Sequence, residues 1–99
     1  MRLKTMTISF TQRVSLPPEV LVSNLQEESV ILNLDTECYF GLDEIGTRFF
    51  SLLTGSATIQ AAYEALLGEY DVEAEVLRRD LTELLEKLAA QGLVTVTGE

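Results

Sequence analysis

A chain of 99 residues with 46 % apolar content suits one compact domain and excludes a disordered polar segment. Sixteen acidic against seven basic residues give a net charge of −9, which opposes binding to a phosphate backbone and favours a neutral or basic partner. The acids can equally serve solubility alone. One cysteine and no histidine exclude an internal disulfide and leave a zinc site without ligands.

The N-terminal stretch MRLKTMTISF has two basic residues, but Thr5, Thr7 and Ser9 interrupt its apolar positions, so it is no signal peptide. No apolar run approaches the roughly 18 residues of a membrane span. The expectation is a cytoplasmic protein with no membrane partner. Met1 to Lys4 should fray. Thr7 to Val14, TISFTQRV, can form a strand with Ile8 and Phe10 on one face. Pro17-Pro18 stops it, since neither proline can donate to a ladder. Residues 1–16 therefore read as an arm or extra strand, and residues 17–99 as one domain.

Val20 to Leu25, VLVSNL, is the next strand, and Gln26-Glu27-Glu28 makes a polar hairpin loop. In Ser29 to Gly46, SVILNLDTECYFGLDEIG, Val30, Leu32 and Leu34 alternate with Ile31 and Asn33, the period of a strand with one face more deeply buried. Asp35-Thr36-Glu37 is a reversal, and Cys38-Tyr39-Phe40 favours extended structure again. Asp43 suits a helix N-cap. Strands at about 20–26, 29–34 and 38–41 pair in sequence order, which leaves the third at an edge with one row of backbone groups unpaired.

Helical spacing follows three times. Ile45, Phe49, Leu52 and Leu53 mark a helix over Leu42 to Leu53, with Gly55 at its stop. Ser56 or Thr58 can cap a second, which aligns Ile59, Ala62, Tyr63, Leu66 and Leu67 and closes at Gly68 and Glu69-Tyr70-Asp71. The third and longest, Glu73 to Gln91, carries Val76, Leu77, Leu81, Leu84, Leu85 and Leu88. Gly92 ends it and Leu93 folds back on the last turn. Val94 and Val96 alternate with Thr95 and Thr97, so a short C-terminal strand can form. Sheet before helices implies an α+β domain, and three helices before a β tail make it winged-helix-like.

Little in the chain can catalyse, and no enzyme activity, cofactor or metal is expected. The commonest general base is missing, Cys38 has no histidine to activate it, and there is no glycine-rich phosphate loop. A winged helix raises DNA binding, but on Glu73 to Gln91 five acids outnumber Arg78, Arg79 and Lys87, so nucleic acid is not expected. Peptide recognition remains. An extended peptide can add to the edge at Glu37 to Gly41, with the third helix as the second wall of a groove. The alternative is that Thr7 to Val14 covers that edge, and the residues leave both open.

One ordered set of residues resembles a known family. LNLDT-x-x-YFGL, a helix ending LLTG, TIQ, EYDV, DLTELLEKL and GLV, spread over about residues 18 to 96, look like the PqqD-like family. That is the leader-recognition domain and peptide chaperone of ribosomally made, modified peptides, the RiPP recognition element. The resemblance implies three antiparallel strands followed by three helices, with the leader of a precursor peptide adding as a fourth strand. It places the site at Glu37, Cys38, Tyr39, Phe40 and Gly41 and on the groove-facing part of Val76 to Leu84. Pockets would come from Tyr39, Ile31, Val76, Leu77 and Leu84. Asp80 matches an acidic position frequent in the family's third helix, suited to a basic leader residue or the strand–helix junction, unless it merely faces solvent. Arg79 could answer an acidic leader residue. With no fused enzyme before its end at Glu99, the chain resembles the stand-alone domains of lasso-peptide biosynthesis, which present a precursor to a separate leader peptidase. It is also similar to the chaperone of pyrroloquinoline quinone synthesis, which serves a radical SAM enzyme, and the YFGL-D-x-x-G wording favours the lasso type. The expectation is a non-catalytic adaptor, monomeric or weakly dimeric, in natural-product biosynthesis.

Overall fold

A computed structural model describes residues 8–98; Met1 to Lys4, expected to fray, lie outside that span. The elements run β1 (Arg13–Ser15), β2 (Val20–Leu25), β3 (Glu28–Asn33), β4 (Tyr39–Leu42), α1 (Glu44–Gly55), α2 (Ile59–Glu69), α3 (Ala74–Ala90) and β5 (Thr95–Thr97). The α+β plan of a three-stranded antiparallel sheet followed by three helices, with an extra N-terminal strand and a short C-terminal strand, is the expected one. The sheet has the order β2-β3-β4, and β1 pairs with β5.

The arm departs from expectation. Thr7 lies outside the described residues, and Ser9 to Gln12 is a turn, not strand. Gln12 N donates to Ser9 O at 3.0 Å and Ser9 N to Gln12 Oε1 at 2.8 Å. The turn drops Phe10 into the core, edge-on to Tyr63 at 5.4 Å, with the Arg78 guanidinium 4.1 Å above its ring. At the start of α2, Ile59 N and Gln60 N donate to the carbonyls of Gln12 and Phe10, each at 2.8 Å, so the arm satisfies amides that have no partner within the helix. β1 then pairs antiparallel with β5, Val14 opposite Val96. The described part of the arm, residues 8–16, therefore packs on the helical side and not on β4.

Helix boundaries follow their caps. Asp43 Oδ1 accepts from Gly46 N at 2.8 Å, and of the two candidates for α2 it is Thr58 that caps, accepting from Ala61 N at 3.1 Å. At the end of α3, Leu93 N donates to Leu88 O at 2.9 Å and Gly92 N to Ala89 O at 3.1 Å, with Gly92 at φ +73. That is a Schellman turn, and it needs the left-handed conformation that glycine takes without cost. Leu77, Leu81, Leu85 and Leu88 form the buried stripe of α3 and pack with Leu53, Ile59, Leu66 and Leu93. Between α1 and α2, Arg48 Nε donates to Glu69 Oε1 at 2.9 Å and Nη2 to Oε2. This hydrogen-bonded pair holds the Glu69 carboxyl below its ordinary pKa and raises that of Arg48.

On β3 the face that goes inward is Ser29, Ile31 and Asn33, while Val30 and Leu32 are half-buried and Leu34 exposed. The more apolar parity thus faces out. Ser29 and Asn33 can lie inside because each finds a partner there: Ser29 Oγ meets Thr47 Oγ1 at 2.8 Å, and Asn33 Nδ2 donates to Gly92 O at 2.9 Å. On the outer face Leu21, Leu32 and Tyr39 stand in one cross-strand row.

Candidate functional site: the β4 edge and its groove

Among the described residues β4 pairs with β3 on one side only. Ladder geometry tells which of its backbone groups are free. Leu34 N donates to Glu19 O and Asn33 N to Cys38 O, each at 2.9 Å. Even-numbered residues of β3 therefore bond toward β2 and odd-numbered ones toward β4. By the same alternation Phe40 and Leu42 turn their backbone groups to β3. Tyr39 and Gly41 turn theirs to the open edge, which can offer an N–H and a C=O from each. Gly41 adds no side chain, and a Cβ there would meet nothing within 4 Å, so the approach is clear.

Beside this edge lies a hollow of about 460 Å3 lined by Phe40, Gly41, Leu42, Asp43, Ile45, Gly46, Phe49, Asp80 and Leu84. Its walls are β4, the first turns of α1 and the middle of α3. A second hollow of about 250 Å3 shares Ile45, Phe49 and Asp80 and continues toward Tyr70, Asp71, Val72 and Leu77. Together they make a groove with an apolar floor and carboxylates from Asp43, Asp71 and Asp80. Ile45 is 52 % exposed although it belongs to an apolar helix face, which marks it as groove and not core. The other open edge, β2, has a smaller hollow of about 240 Å3, where Leu16, Val22 and Phe50 stand beside Asn24, Thr47, Ser51 and Thr54 and no carboxylate lines it.

The expected site residues fall in several places. Phe40, Gly41, Leu84 and Asp80 line the larger hollow, and Leu77, 1 % exposed, backs the smaller one. Glu37 and Cys38 precede β4 in the turn, Glu37 at φ +64. Two expectations about pockets are corrected. Ile31 is fully buried between β2 and β4, because its parity faces the helices, so it lines no surface. Tyr39 is 70 % exposed on the outer face, opposite Leu32, so its side chain lines neither hollow of the groove. Val76 is half-buried and Arg79 exposed, and neither lines a hollow of the groove. The wall contributed by α1, Asp43, Ile45 and Phe49, was missed. Its signal was a stripe wider than a core face needs: Ile45 and Phe49 beside Phe50 and Leu53.

No group of three His, Cys, Asp or Glu side chains suited to a metal occurs among the described residues, and no helix there is long and apolar enough to cross a membrane. What the site offers is an unpaired backbone edge over an apolar, acid-rimmed groove. The family model for coenzyme PQQ synthesis protein D (PqqD) matches residues 28–94, from the start of β3 to the end of the Schellman turn. The chain belongs to the PqqD family. Among solved structures this PqqD-family chain resembles TbiB1 in complex with the TbiA(beta) leader peptide, at 32 % identity and a TM-score of 0.77, over 86 % of this chain and 99 % of that one. It also matches lasso peptide synthetase B1 complexed with the leader peptide, at a TM-score of 0.75 over 84 % of this chain and 98 % of that one. Identity there is 23 %, so that likeness speaks for the fold. No curated protein matches the chain.

Proposed function

We propose that this protein is a non-catalytic adaptor of the lasso-peptide type, which binds the leader of a ribosomally made precursor by strand addition to β4. It then presents the precursor to a separate processing enzyme, a leader peptidase, in the cytoplasm. The observation that carries this is the open edge at Tyr39 and Gly41 beside the groove. Backbone pairing supplies sequence-tolerant affinity, and side chains of the added strand that point inward fall among Phe40, Ile45, Phe49 and Leu84. Asp43, Asp71 and Asp80 favour a leader with a basic residue at the groove. Support comes from the TbiB1 complex, whose ligand is a leader peptide. The DNA-binding alternative finds no such support, and Arg78, one of three cations on α3, is stacked on Phe10.

The test is binding of a fluorescein-labelled lasso-precursor leader, such as the TbiA(beta) leader, to wild type and to Tyr39→Pro. The Tyr39 N–H points to the open edge, so proline removes a donor that the β3 ladder does not use. Tight binding by wild type, lost in a variant with a wild-type circular dichroism spectrum, supports strand addition. Equal binding by both places the peptide elsewhere.

A further inference from the structure

Asn33 is 3 % exposed, and its amide and backbone make five hydrogen bonds. Its backbone N donates to Cys38 O at 2.9 Å, and its carbonyl accepts from Glu37 N at 2.8 Å. Its Oδ1 accepts from Asp35 N at 2.8 Å and Thr36 N at 3.1 Å, an Asx turn. These four bonds shape the turn that launches β4 and hold Glu37 at a positive φ that a side chain normally avoids. The fifth goes elsewhere. Nδ2 donates at 2.9 Å to Gly92 O, in the Schellman turn that ends α3.

One buried amide thus joins the turn before the strand wall of the groove to the turn after its helix wall. β4 is four residues long, is paired on one side and is anchored at its end by Leu42 in the core, so the turn before it bears on where its first residues stand. Phe40 on β4 and Leu84 on α3 face the same hollow, and its width depends on how these two elements stand to one another. The approach at the junction is close: a Cβ on Gly92 would lie 3.4 Å from Nδ2.

We propose that Asn33 is the positioning residue of the peptide site: its Nδ2 bond to Gly92 ties the strand wall to the helix wall, and its Oδ1 sets the turn that aims the Tyr39 and Gly41 backbone at the peptide. This rests on the strand-addition reading, but the tie itself is visible without a peptide.

Asn33→Asp separates the two roles. It keeps the acceptor for Asp35 and Thr36 and puts in place of the donor to Gly92 an oxygen that repels the Gly92 carbonyl, so the tie is broken. Amide exchange in the free protein is measured first. The tie predicts that β4 and its turn exchange about tenfold faster relative to α2 and α3, whereas a merely structural role speeds all these amides alike. The labelled leader should then bind about tenfold more weakly, as expected when a short edge is no longer preorganised. Uniform exchange, or leader affinity equal to wild type, overturns the proposal. Should Asn33→Asp fail to fold, the wild-type side chain decides: its Nδ2 protons should exchange as slowly as core amides, and exchange as fast as that of exposed Asn24 overturns the tie. If wild type binds no leader, the strand-addition reading falls, while the exchange comparison still decides the tie.

Discussion

Single residues here carry their effect through backbone geometry as much as through contacts. The β2–β3 hairpin has the two loop residues Gln26 and Glu27, and Gln26 sits at φ +62. That is the first position of a primed turn, where glycine is the natural residue. Gln26→Gly should stabilise the protein by about 0.5–1 kcal/mol, because relief of the left-handed strain outweighs the added chain entropy. Urea unfolding checks this, and a lower midpoint would contradict it. Leader affinity should change little, since Gln26 itself lines none of the hollows that border β4. Ser29 and Asn33 show why such detail escapes a sequence reading. Alternation in VILNL gave the strand and its period, but by hydropathy the inward face should have been Val30, Leu32 and Leu34. The face that is buried contains two polar residues whose partners, Thr47 and Gly92, are distant in the chain.

At the scale of elements, the helices were legible because caps and stripes are local. Asp43, Thr58 and Gly92 are each set within a few residues of the element they end. The arm was not legible. TISFTQRV alternates well enough for a strand, yet side-chain and backbone bonds within Ser9 to Gln12 curl it, and the strand proper is only Arg13–Ser15. What the curl achieves is burial of Phe10 against Tyr63 beneath Arg78. Phe10→Ala should cost about 3 kcal/mol of stability, by the loss of a buried ring and its stacked partners. A loss under about 1 kcal/mol would mean that the arm is not a real part of the core. Leader binding by the folded fraction should survive, since β1 of the arm pairs with β5.

For the whole molecule, charge and topology act together. A net charge of −9 and carboxylates from Asp43, Asp71 and Asp80 around the groove make a field that repels acidic peptides and draws basic ones. Asp80→Asn should weaken a leader with a groove-facing lysine about three- to fivefold at low salt and flatten the salt dependence. A leader without that lysine should bind the variant as it binds wild type, and fluorescence anisotropy with both peptides checks the pair. Among the described residues the sheet has two open edges, β2 and β4, and of these β4 borders the apolar, acid-rimmed groove. The edge itself could be placed from the order of strands. The groove's α1 wall could be suspected from the wide apolar stripe of Ile45, Phe49, Phe50 and Leu53, but the stripe does not say which of these pack on the core and which line a hollow.

The central claim is that a leader peptide becomes the fourth strand beside β4. Residue-resolved amide exchange with and without the labelled leader tests it most directly. The N–H groups of Tyr39 and Gly41 should slow by about tenfold or more on binding, while the outward amides of Val22 and Asn24 on the β2 edge stay as they were. Slowing at Val22 and Asn24, or binding that leaves Tyr39 and Gly41 unprotected, would contradict the claim.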